Sequence, residues 1–250
     1  MMLQYRAMLV IYTIGHVLEP LVYLIVWSVV SNTSGGSVGN YTAQGFAAYF
    51  IVMMLVNHAT YTWIMYEFEY RIREGKLSFL LLKPVHPIHS DIADNICAKM
   101  VTLPVMLLAA ACLAMIFKPA AAVVPWAMAA FIPAVLLAFL LRFLLEWTLA
   151  LTAFWTTRTS AINQMYFVLV LFLSGQIAPL ALFPAPIRVA AEVLPFRWMI
   201  GFPVELLLGR LTPGEALTGL AAQAAWLGIS LVLLRTVWHA GVKVYSAVGA

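Results

Sequence analysis

With 250 residues, 64% of them hydrophobic and only 10% charged, and a mean hydropathy of +0.96, the chain lies far from the mix of about half apolar and about a quarter charged residues that makes a soluble domain. This excludes a soluble enzyme or binding module and defines an integral membrane protein. The net charge of +4 and pI near 9.1 carry no nucleic-acid signal, because the basic residues lie in short segments beside apolar runs, where they set membrane orientation.

In chain order, the first apolar run, about 7–31, is longer than a signal-peptide core. No small-x-small site follows a short apolar stretch, so it reads as a retained span. Further runs at about 43–66, 98–117, 125–156, 162–183 and 214–238 each reach the ~20 residues a spanning helix needs. None shows the alternation of a barrel strand. The predicted class is an all-α membrane protein, a single six-helix transmembrane domain over residues 1–250. Basic residues divide unevenly between its two sides. Arg6, Arg71, Arg73, Lys76, Lys83, Lys99, Arg158, Arg235 and Lys243 fall on one side, and Lys118, Arg188, Arg197 and Arg210 on the other. The richer side is the cytoplasmic one, so both termini are expected there.

Between the last two spans, 183–213 is apolar but interrupted by Pro184, Pro186, Pro195, Pro203 and Gly209, so short re-entrant or interfacial helices are expected. The two cysteines, Cys97 and Cys112, flank or occupy one predicted span and suggest neither a disulfide framework nor a metal site. No GxxxxGK[ST] run occurs, so any ATP hydrolysis has to come from another chain.

Polar residues inside spans are the natural site candidates, since a charge at the helix centre costs about 2.5–3.5 kcal/mol to insert. Arg142 and Glu146 lie one turn apart on one face of the fourth span. They are either substrate-path residues or a mutually neutralising pair that fixes packing. Glu19, followed by a helix-weakening Pro20, shares a face of the first span with His16. This couple could face a central cavity or be hydrogen-bonded inside the bundle. His86 and Asp91 have the H-x-x-x-x-D spacing with which a membrane acyltransferase orients its base, without the companion phosphate-binding block such an enzyme needs.

Leaving the second span, Glu67, Glu69, Arg71, Arg73 and Glu74 continue a helix into water with opposite charges at helical spacing. Gly75 can end it. Leu77, Leu80 and Leu81 then recur at i, i+3 and i+4, and Pro84 stops the turn. This predicts a short amphipathic helix, either docked on a soluble partner or lying in the headgroups near Lys76 and Lys83.

The run from Arg73 to Val85, REGKLSFLLLKPV, resembles the E-x-G-T-L-x-x-L-L-x-x-P segment of ABC-2 type transporter permeases. Lys76 stands where that family usually has Thr, and Ser78 where an acidic residue is common. Phe154-Trp155-Thr156, the run from Ser174 to Pro184, Leu194-Pro195-Phe196 and Pro203 are similar to further blocks of one bacterial branch. The resemblance implies that Glu74, Gly75, Leu77, Leu80, Leu81 and Pro84 form an ATPase-coupling element, with re-entrant helices before the last span. It also implies separate ABC ATP-binding subunits that hold ATP and Mg, leaving no cofactor in this chain, and a second permease subunit, identical or paralogous. Its expected setting is the lipid of a bacterial inner membrane. The resulting expectation is a permease subunit of an exporter for a hydrophobic or amphipathic cargo, against an acyltransferase built on His86 and Asp91 or a non-transporting scaffold.

Overall fold

The computed structural model describes residues 6–120, 122–156 and 159–245, with side chains from Ile14 onward; Arg158 lies outside the described residues, as does the side chain of Arg6. The architecture is a helical bundle whose only described sheet is a two-stranded hairpin. Helix α1 spans Arg6–Thr33 and contains Pro20. It ends in a turn through Gly35 and Gly36, both at positive φ (85° and 95°), which only glycine adopts without strain. Strands β1 (Ser37–Val38) and β2 (Tyr41–Thr42) pair antiparallel, Ser37 opposite Thr42. Helix α2, Ala43–Thr60, starts at an N-cap in which the Thr42 hydroxyl accepts from the Gly45 N–H. It is largely apolar and buried along most of its length, because it runs through the centre of the bundle against α1 and the helices at Pro87–Phe117, Pro125–Ala150 and Gly201–Leu207.

The chain leaves helical geometry at Tyr61–Trp63 and resumes as α3, Ile64–Arg73. The second predicted span, 43–66, therefore contains a break that hydropathy does not register. Ile64, Met65 and Phe68 face inward on α3. Arg71 bridges Glu67 at 2.5 Å on its own helix and, at 2.6 Å, Asp91 of the long helix that begins at Pro87. Gly75, at φ 66°, turns the chain into α4, Leu77–Leu81.

Helix α5, Pro87–Phe117, begins with His86 as N-cap and Pro87 in the first turn. The expected start near 98 marked only where the helix becomes apolar, since Asp91, Asp94 and Lys99 fall in its first part. Helix α6, Pro125–Ala150, runs on into a 3-10 turn, Leu151–Phe154. Helix α7 spans Ser160–Leu173 and stops well short of the expected 183. Ser174 ends it, Gly175 turns at φ 87°, and the Tyr49 hydroxyl donates to the Gly175 carbonyl at 2.7 Å. At about 1.5 Å per residue these 14 residues reach ~21 Å, less than the ~30 Å of a hydrocarbon core.

Three short helices follow, α8 (Ala185–Val193), α9 (Phe196–Met199) and α10 (Gly201–Leu207); Pro184 and Pro195 stand just before the first two, whereas the α9–α10 break falls at Ile200 and Pro203 lies inside α10. Arg197 joins them through Glu192 at 3.1 Å and Glu205 at 3.0 Å. Gly201 is required by close packing: a Cβ there would lie 2.7 Å from the Ser174 carbonyl oxygen. Helix α11, Pro213–Val244, opens on a capping box between Thr212 and Glu215.

The bundle has two distinct ends. At one, the hairpin, residues 118–120 and 122–124 and the 208–212 turn meet. Ala120 donates to the Gln44 carbonyl at 3.2 Å, and the Arg210 guanidinium lies 3.6 Å from the centre of the Tyr41 ring. At the other, α3, α4, Thr159 just before α7 and the end of α11 meet. Ser78 and Tyr245 share a hydrogen bond of 3.0 Å, and the Thr159 hydroxyl donates to Glu69. Among the described residues five helices, α1, α2 with α3, α5, α6 with its 3-10 turn, and α11, are long and apolar enough to cross a membrane.

Candidate functional site

The break at Tyr61–Trp63 is the focus of the buried polar chemistry. Leaving helical geometry frees backbone groups that must find partners. Lys99 of α5 donates to the Tyr61 carbonyl at 2.5 Å. From α6, the Arg142 guanidinium donates to Asn57 at 2.8 Å and to the Thr60 hydroxyl at 3.2 Å. Its Nε donates to Glu146 at 2.8 Å. Glu146 also accepts from the Thr62 hydroxyl and, at 3.2 Å, from the Tyr166 hydroxyl of α7. Arg142 and Glu146 are 2% and 0% exposed. The two charges thus neutralise each other, and hydrogen bonds tie them to α2, to the break and to α7. This is the geometry in which buried ions are tolerated. Beside it, His58 and Thr102 share a 2.9 Å hydrogen bond, and the His16 ring packs edge-on against His58 and Tyr61.

Next to this cluster is an open cavity of about 550 Å³. Helix α1 contributes Gly15, His16 and Glu19, and the break and α3 contribute Tyr61, Trp63 and Tyr66. Helix α7 and the turn after it supply Gln164, Phe167 and Gln176, while Arg142 reaches its floor. Glu19 is exposed and accepts from the Tyr23 hydroxyl at 3.3 Å and from the Gln176 amide at 3.0 Å. Among the described residues it enters no ion pair. Both donors are neutral, so its charge is solvated by the site and left uncompensated.

His16 and Glu19 therefore do share a cavity wall, and Arg142 meets them there, whereas Glu146 lies behind Arg142. The partners Asn57, Thr60, Thr62, Lys99 and Tyr166 went unnoticed as a group in the sequence. The available signal was the run Asn57-His58-Ala59-Thr60-Tyr61-Thr62, a polar stretch inside an otherwise apolar span.

The loop end carries the second set of candidates. Leu77 is fully buried, and Leu80 and Leu81 pack against the bundle. The apolar face read from their spacing thus points inward. The face left open is formed by Phe79, Leu82 and Val85, 72%, 83% and 56% exposed, flanked by Lys76 and Lys83. Glu74 and Pro84 are exposed beside it.

His86 and Asp91 are not brought into a relay. Asp91 accepts from Arg71 through one oxygen and from the Trp147 indole at 2.9 Å through the other. His86 Nδ1 accepts from the Ile88 N–H at 3.2 Å, and its ring packs 4.4 Å from that of Trp238. Burial there draws the imidazole below its ordinary value, with His89 and His239 adding to the effect.

A bundle of long apolar helices with a polar cavity between them and an exposed apolar knob at one end is the build of a multi-pass membrane transport component. The chain belongs to the ABC-2 family of transporter proteins, whose family model matches residues 17–249. Searches of curated proteins and of solved structures gave no match.

Proposed function

We propose that the chain is the membrane-spanning permease subunit of an ATP-driven exporter in a bacterial inner membrane, with ATP bound and hydrolysed by separate subunits. Six crossings account for the chain if α7 and the turn through 174–183 complete the fifth and α8–α10 re-enter from the hairpin end. Both termini are then cytoplasmic, and a second permease, identical or paralogous, completes the path for a hydrophobic or amphipathic cargo.

The observation that carries this reading is the open face of α4. Three large apolar side chains stand clear of the bundle, Phe79 on α4 and Leu82 and Val85 in the turn that follows it, while Leu77 on the same helix is buried. A patch of this kind at the end of a helical hairpin is suited to a protein groove. Lys76 and Lys83 beside it favour an acidic rim on the partner.

Force applied at α4 has a route to the cavity. Arg71 and Asp91 lock α3 to α5, and the Trp147 indole extends that lock to α6. On α3's other side the helix is interrupted by the break at Tyr61–Trp63. A partner that closes on ATP would tilt α3 about that break and shift Tyr61, Trp63 and Tyr66, which form one wall of the cavity. The residues of this chain then do mechanical work: α4 receives the stroke, the Arg142–Glu146 cluster holds the pivot, and the aromatic wall moves.

The test is co-purification with an ATP-binding subunit from the native membrane. Wild-type chain is expected to retain that subunit, and Leu82→Asp to lose it while keeping its melting temperature. Retention by Leu82→Asp, or failure of the wild type to bind any ATPase, would remove the docking assignment. Leu77→Asp is unsuited to the purpose, because it places a charge in the core.

A further inference from the structure

We propose that the cavity between α1, α3 and α7 recognises an organic monocation with a flat aromatic body. This rests on reading the cavity as part of the transport path.

Charge and shape both point to that class. The lining holds two formally charged side chains, Arg142 and Glu19, and they are in opposite situations. Arg142 spends its charge on Glu146 at 2.8 Å. Among the described residues Glu19 accepts only from Tyr23 and Gln176, neutral donors that fix the carboxylate in place without cancelling it. The cavity therefore offers one negative charge, preset in orientation.

Facing into the same space is a continuous aromatic surface. Trp63 and Tyr66 have ring centres 5.2 Å apart, and Tyr66 lies nearly parallel to Phe167, 6.3 Å away at 14°. Trp63 and Tyr66 are 54% and 43% exposed, so these faces are open to a ligand. Aromatic faces attract cations, tryptophan most strongly, and they stack on flat rings. An anion would meet Glu19 directly. A neutral apolar molecule would leave that carboxylate desolvated and unpaired. The volume of about 550 Å³ suits a molecule of three or four fused or linked rings.

Binding of ethidium, a flat aromatic monocation, can be followed by fluorescence anisotropy on the purified full chain in uncharged dodecyl maltoside micelles, with empty micelles as the blank. The anionic dye 8-anilinonaphthalene-1-sulfonate and the neutral dye Nile red serve as charge controls. Wild-type protein is expected to bind ethidium at least about tenfold more tightly than either control. Glu19→Gln, which keeps the size and an acceptor oxygen, is expected to weaken ethidium about tenfold and leave Nile red unchanged. Trp63→Ala is expected to weaken ethidium several-fold, with recovery in Trp63→Phe.

The inference falls if Glu19→Gln and Trp63→Ala both bind ethidium as the wild type does, or if 8-anilinonaphthalene-1-sulfonate binds as tightly as ethidium. It also falls if choline displaces ethidium at equal concentration, which would make a lipid headgroup the ligand. Failure of the path reading looks different: ethidium would bind in a Glu19-dependent way, yet vesicles holding the permease with its ATPase would not move it with ATP.

Discussion

The molecule places carboxylates in apolar helices at two neighbouring points and treats them in opposite ways. Glu146 of α6 is fully buried, and its oxygens are filled by Arg142, Thr62 and Tyr166. Glu19 of α1 is exposed to a cavity and has only two neutral donors. Burial with complete satisfaction makes the first a fixture of the fold, since removing one member would strand the other charge. Exposure without a counter-charge makes the second available to something that enters. Intramembrane position alone, which the two share, does not separate a packing residue from a binding residue; the list of partners does.

Variants can break or sharpen this contrast. The largest effect is expected from Glu146→Ala, which strands Arg142 among Asn57, Thr60 and Tyr61. It should cost about 3–5 kcal/mol and appear as poor assembly and a sharply lower melting temperature in detergent. The double variant Arg142→Met with Glu146→Leu should lose clearly less than the sum of its single changes, because neither charge is left alone. Additive losses would show that the pair is not coupled.

Tyr166→Phe removes one of several donors to Glu146 and should cost about 1 kcal/mol by thermal unfolding. Glu19→Ala, with no buried partner to strand, should move stability by no more than about 0.5 kcal/mol; a loss approaching that of Glu146→Ala would erase the distinction. The smallest effect concerns His86. Its folded-state pKa lies below the ordinary 6.5, so the unfolded chain takes up the proton first as pH falls. Its contribution to stability is therefore present above about pH 6.5 and declines below it, down to the lowered value. His86→Asn, which can still cap α5, should flatten that part of the stability–pH curve.

How far the sequence disclosed this arrangement depended on the kind of signal. Long apolar runs and the prolines of 183–213 expose helices and their interruptions directly, because hydropathy and missing N–H groups act locally. The shortness of α7 was hidden because the run stays apolar beyond Leu173; a glycine at positive φ and a tyrosine from another helix end the helix. The break at Tyr61–Trp63 was hidden for a related reason. It is stabilised by Lys99 and Arg142 from distant parts of the chain, and no local propensity announces it.

At the site, spacing placed Arg142 with Glu146 and His16 with Glu19, since i, i+3 and i+4 neighbours are fixed by helix geometry. It did not show that Asn57, Thr62 and Tyr166 complete one pair and leave the other open. For α4, periodicity found an apolar face in Leu77, Leu80 and Leu81, but that face serves the fold. The exposed residues Phe79, Leu82 and Val85 emerge only from the packing.

The central claim is that a stroke received at α4 moves the α3 wall of the cavity. It is tested most directly by spin labels at Leu18→Cys on α1 and Tyr66→Cys on α3, with Cys97 and Cys112, both exposed, replaced by serine. The inter-label distance would be read in the complex with its ATP-binding subunits, with and without ATP and vanadate. The expected result is a distance distribution that shifts on nucleotide trapping and stays at its resting position when Leu82→Asp is added. An unchanged distribution in the wild-type complex, or a full shift that survives Leu82→Asp, would contradict the account.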